Sequence, residues 1–166
     1  MSRFLTPLVK QHVGYDRNGW PLWELREVPL VYESSLRFPH PVTGRMMRVR
    51  VTAPLGFRTN LISTPRTPIL FSMFGDKAHA ESATHDLGYS FHGPLTKDQW
   101  DLLFRESMAA PKVLENQNDM PGWQRELAYQ GVSILGGTSF TMEATISQHP
   151  EVEAYVRDVG IVEWLP

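Results

Sequence analysis

The chain has 166 residues, 42% hydrophobic and 20% charged, with no cysteine and a formal net charge of -2. That size and apolar content suit one globular domain with its own core. The charge balance excludes the basic field that drives nucleic-acid backbone binding, and the lack of cysteine excludes disulfide scaffolds, thiolate zinc sites and cysteine nucleophiles together.

Residues 1–27 mix Tyr15, Trp20 and Trp23 with Gly14, Gly19 and Pro21, a composition that suits short strands or an extended arm lying on another surface. The first apolar run is short and broken by Pro7, and no window approaches a membrane span, so the expectation is a soluble protein made in a cytoplasm. Val28 to Phe38 and Met46 to Val51 have strand composition. In the second of these, Met47, Val49 and Val51 alternate with Met46, Arg48 and Arg50, as in a half-buried strand. The Pro39 to Gly44 stretch between them reads as a turn, which predicts a hairpin. From Ala53 to Arg66 the prolines and glycine break any helix, and loop chemistry dominates.

Helical patterns follow. The first is expected to take Asp76 as its N-cap and run from Lys77 to about Phe91, stopped by Gly93 and Pro94. The second opens with Thr96 and Gln99 as a capping box and carries Trp100, Leu103, Phe104 and Met108 on its apolar face, ending at Pro111. The third has Pro121 in its first turn, is expected to bury Trp123, Leu127, Ile134 and Leu135, and to stop at Gly136 and Gly137. A short last helix follows Pro150, from about Glu151 to Asp158. The fold class is therefore α+β: a small N-terminal antiparallel hairpin or sheet, a three-helix core and a short C-terminal helix. The expected division is an arm at 1–27, a core at 28–137 and a C-terminal extension at 138–166.

Chemistry concentrates on the first helix. Ser82, His85, Asp86 and Tyr89 fall on one face at helical spacing, and burying an imidazole beside a carboxylate is costly without partners. The short Gly93-Pro94 turn makes the first two helices antiparallel neighbours, which brings Asp101 back toward His85. Asp86 then points at the preceding loop, where carbonyls near Gly56 and the Asn60 side chain offer oxygens to a hard cation. A buried polar brace between two helices accounts for the same residue types without catalysis. Tyr89 reads equally as a core aromatic with a satisfied hydroxyl. His79 and His92 sit near helix ends, as surface histidines do. Ser63 suits capping or turn formation, and Arg66 suits a buried clamp on a carboxylate or carbonyl.

Three ordered strings, Gly56-Phe-Arg-Thr-Asn60-Leu-Ile-Ser63-Thr-Pro65-Arg66, Ala83-Thr-His85-Asp86-Leu-Gly-Tyr89 and Asp101-Leu-Leu-Phe104-Arg-Glu-Ser-Met108, resemble a phage and prophage family known as domain of unknown function 1353. The resemblance covers roughly residues 45 to 137 and includes Tyr129 to Gly137. That family usually has Asp where this chain has Asn60, so the loop carries one negative charge less. The first two helices also resemble, more distantly, the His-Asp helix pair of phospholipase A2-type enzymes. That likeness implies His85 as general base, Asp86 as calcium ligand, Asp101 as orienter of His85 and Tyr89 as a supporting hydroxyl. The glycine-rich calcium loop of those enzymes has no counterpart here, since Pro54 to Arg58 holds one glycine.

The leading expectation is a bacteriophage-type protein, a virion-associated tail or tail-tip component that retains the His-Asp site. Its partners would be other phage structural proteins, met through the N-terminal arm and the tail from Ile161 to Pro166, without nucleic acid and without a membrane span. It would be made in the host cytoplasm and carried in the virion. The alternative is a cation-dependent hydrolase of lipid or cell-envelope substrate using His85 as base. Its catalytic group would be His85, Asp101 and Tyr89, with Asp86 and Asn60 on the cation, Ser63 and Arg66 in support, and Ca2+ as the cofactor the likeness implies.

Overall fold

A computed structural model describes residues 1–61, 78–111, 120–141 and 146–166, with the side chains of 135–141 left aside. The order of its elements is β1 (Arg3–Phe4), β2 (Lys10–Tyr15), β3 (Pro21–Leu25), β4 (Leu30–Pro39), β5 (Met46–Ala53), β6 (Arg58–Thr59), α1 (His79–Phe91), α2 (Lys97–Ser107), α3 (Gly122–Thr141), α4 (Pro150–Asp158) and β7 (Val162–Leu165). The architecture is α+β, with two antiparallel sheets and four helices among the described residues.

The larger sheet has the order β1-β4-β5-β7. Its centre is the expected hairpin, paired from Leu30 opposite Ala53 to Pro39 opposite Met46. The alternation in β5 turns Val49 and Val51 inward, and both are buried, while Arg48 and Arg50 reach Glu33 on the neighbouring strand. Both chain ends pair in cis, with Phe4 opposite Tyr32 and Trp164 opposite Val49. The smaller sheet, β2-β3-β6, takes up the aromatic N-terminal stretch, so Trp23 lies between His12 and Thr59. This second sheet was not legible as a unit, because β6 is two residues long and carries no period of its own.

The core lies between the larger sheet and the helices. Tyr32, Val49 and Val51 meet Ala83 and Leu87 of α1 and Trp100 and Leu103 of α2. The Thr96 capping box forms as expected: the Thr96 side chain accepts from the Gln99 backbone N–H, and the Gln99 side chain accepts from the Thr96 N–H. Glu106 ties the end of α2 to the sheet by accepting from Tyr32, Ser34 and Ser35 of β4. Asp76 and Lys77, expected to open the first helix, lie outside the described residues, which place its start at His79.

The third helix departs from expectation twice. It buries Ala128 and Val132 against Phe104, Met108 and Met120, leaving Trp123 60% and Ile134 77% exposed, with Leu127 also exposed. Trp, Leu and Ile form the more apolar stripe, but the smaller face lets α3 approach α2 closely enough to complete its buried polar contacts. The helix also runs through Gly136 and Gly137 to Thr141, since glycine lowers helix stability by only about 1 kcal/mol per residue and does not by itself end a helix.

Candidate functional site

The site is built where α1 and α2 cross most closely. Gly88 lies in the last turn of α1, where a Cβ would stand 2.2 Å from the Trp100 ring. The bare backbone admits the indole, whose Nε1 donates to the His92 carbonyl at 2.8 Å. His92 (φ 59) and Gly93 (φ 63) turn the chain in left-handed conformations, and α2 returns antiparallel. Asp101 follows Trp100 directly, so the same crossing sets Asp101 against His85.

His85 Nε2 stands 3.0 Å from Asp101 Oδ1, and the Tyr89 hydroxyl donates to that same oxygen at 2.8 Å. The other oxygen accepts from Lys97 Nζ at 2.6 Å, with the Ser133 hydroxyl at 3.5 Å. Lys97 also donates to the Val132 and Ser133 carbonyls of α3. Burial alone would raise the Asp101 pKa, but the hydrogen bonds from His85, Lys97 and Tyr89 outweigh it and hold the carboxyl below its usual range. Asp101 is therefore ionised, and every group facing it must donate, which puts the His85 proton on Nε2. Among the described residues Nδ1 has no hydrogen-bond partner, and its lone pair remains. The ring is 3% exposed and lies between the rings of Tyr89 and Phe104, at centroid distances of 4.1 and 4.8 Å. Burial, then Asp101, pushes the Tyr89 phenol up, so it stays a donor.

Residues 36–132 match the family described as Protein of unknown function (DUF1353). The chain belongs to that family. No curated protein and no solved structure matched the chain. The DUF1353 stretch holds the end of β4, strands β5 and β6, the helix pair and the first half of α3, and so all of His85, Tyr89, Lys97 and Asp101.

Of the other expected site residues, Asp86 accepts from the Thr59 hydroxyl of β6, next to Asn60 in sequence. Asn60 donates from Nδ2 to Asp16 Oδ2 at 3.1 Å. The described bonds of the two expected cation ligands thus run to different partners, and among the described residues no three His, Asp or Glu side chains gather as a metal-holding group. Ser63 and Arg66 lie outside the described residues. Lys10 Nζ on β2 donates to His79 Nδ1 at 2.8 Å.

Sequence reasoning missed Lys97 and Glu24. Lys97 carries a signal in hindsight, being four residues before Asp101 on one helix, the spacing of an ion pair. Glu24 carries none. It is buried on β3, where it accepts from Arg58 Nε at 3.0 Å, from His149 Nε2 at 2.8 Å and from Arg26 Nη2 at 2.7 Å, groups that only the tertiary fold collects.

Proposed function

We propose that the protein is a hydrolase in which His85 serves as general base for water, acting on an ester or amide of lipid or cell-envelope material. The observation that carries the reading is the shared acceptor: His85 and Tyr89 both bond Asp101 Oδ1. With Nε2 protonated and pinned, Nδ1 is the atom left to take a proton from water, and Asp101 stabilises the imidazolium that results. Tyr89 and Lys97 hold the carboxylate in place, which makes them positioning residues. The resemblance of the helix pair to phospholipase A2-type enzymes supports the same roles. No step is routed through a cation.

The test is hydrolysis of mixed lipid micelles and of peptidoglycan, each with calcium and with chelator, for the wild type and His85→Ala. Loss of a general base lowers the rate by about 10²–10⁴-fold. Equal turnover in the two proteins on both substrates would defeat the assignment, and activity surviving chelator would separate the base from any metal requirement.

A second reading rests on the burial of the network. Asp101 is 1% exposed and bonded on both oxygens, as in a brace that fixes three helices. This suits an accessory or structural component of a phage tail, made in the host cytoplasm and carried in the virion. The outer edges of β1 and β7, at the two ends of the larger sheet, are where neighbouring chains would add. Co-purification of the chain with particles, and its loss from them on deleting residues 162–166, tests this; free chain alone in the lysate counts against it.

A further inference from the structure

A cleft of about 530 Å³ opens between the smaller sheet and the start of α4, lined by residues that include Glu24, Arg26, Glu27, Arg58, His149 and Glu151. That volume falls in the range of small-molecule sites, roughly 300–1,000 Å³. Most of its lining lies outside residues 36–132, and none of it belongs to the His85 network. The cleft is thus a feature of this chain rather than of the family match.

The cleft carries charge of both signs. The buried Glu24 anchors Arg58, Arg26 and His149 by one contact each. Burial alone would raise the Glu24 pKa, and the hydrogen bonds from His149 and Arg58 lower it on balance, so the anchor stays ionised. Each anchored group keeps further nitrogens without a partner among the described residues. Two guanidinium groups against one carboxylate leave a positive excess, pre-oriented and requiring little reorganisation to receive an anion. Glu27 and Glu151 also line the cleft, exposed and with no ion pair among the described residues. Glu27 is held at φ 65, a left-handed conformation that side-chain-bearing residues avoid. Gly56 on the cleft wall takes φ 79, a backbone conformation that side-chain-bearing residues rarely adopt.

The lining thus offers both signs of charge: nitrogens of Arg58 and Arg26 left over beside Glu24, and the carboxylates of Glu27 and Glu151. We propose that this cleft binds a small zwitterion, its carboxylate or phosphate taken by Arg58 and Arg26 and its ammonium group by Glu27 and Glu151. Val13 and Leu55, which also line the cleft, cover the short carbon chain between the two charges.

Calorimetric titration of the full chain tests the assignment with phosphoethanolamine and with the dipeptide alanyl-alanine, beside methyl phosphate and ethanolamine as single-charge controls. Saturable one-site binding of one zwitterion is expected, and which of the two binds distinguishes a lipid-type from a peptide-type source. Losing one charged contact corresponds to about tenfold in affinity, so Arg58→Gln and Glu151→Gln should each weaken binding by that factor or more. Glu151 is exposed and pairs with nothing described, so its variant stays folded and keeps the test decisive. His85→Ala should leave binding unchanged, which separates this site from the proposed hydrolysis. No saturable binding of either zwitterion, equal binding by Glu151→Gln, or equally tight binding of methyl phosphate would each overturn the proposal.

Discussion

Residue by residue, the His-Asp helix owes its geometry to a glycine. Gly88 separates Leu87 from Tyr89 in a motif otherwise composed of good packing residues, and the Trp100 ring fills the space its Cβ would take. Gly88→Ala should therefore destabilise the protein, by about 1–3 kcal/mol for overpacking, against the roughly 1 kcal/mol that alanine favours in an exposed helix. A urea midpoint that rises on this substitution would show that the crossing is looser than described. The pairing of His85 with Asp101 was legible from the residues, since a short turn makes neighbours antiparallel and a buried imidazole needs a carboxylate. Lys97 was not foreseen, because its charge reads as surface until α3 covers it.

At the level of elements, the capped and turned segments matched their signals most closely. Thr96 and Gln99 satisfy two N–H groups reciprocally at the start of α2, local chemistry that needs no tertiary partner. Thr96→Ala should cost about 1 kcal/mol in a thermal or urea melt, and a neutral result would mean that packing of Trp100 alone sets the helix start. The hairpin β4-β5 was equally readable from alternation around a turn. By contrast, α3 presents its smaller face inward. The stripe of Trp123, Leu127 and Ile134 looked like the core side by hydropathy, but closeness to α2 selected Ala128 and Val132. Periodicity locates a helix and its faces; which face a neighbour takes depends on how near that neighbour must come.

For the whole molecule, three carboxylates tie distant parts together. Asp101 joins three helices, Glu24 joins the smaller sheet to α4, and Glu33 receives Arg50 and Arg48 within the larger sheet. All three are held below their usual range. Burial opposes the shift in Asp101 and Glu24 but is outweighed by donors, and in Glu33 the Arg50 hydrogen bond leads. A depressed folded pKa contributes stability that is present above the unfolded value, about 4 for Asp and Glu, and is lost as pH falls through the folded one. Stability should therefore drop progressively below about pH 4, and Asp101→Asn should flatten that drop while lowering stability at neutral pH by about 1–3 kcal/mol. Melting curves across pH check both; an unaltered acid limb in the variant would show that Asp101 takes up no proton before unfolding.

By itself the sequence determined the class of fold, the helix pair and the His-carboxylate partnership, because capping, turns and the cost of buried charge act over a few residues. Only the tertiary structure decided that α3 and Lys97 close over Asp101, that both chain ends pair in cis, and that Glu24 gathers Arg58, Arg26 and His149 into a second charged cleft. Those contacts join residues as far apart as 24 and 149, and no local period records which distant side chain will meet a buried charge.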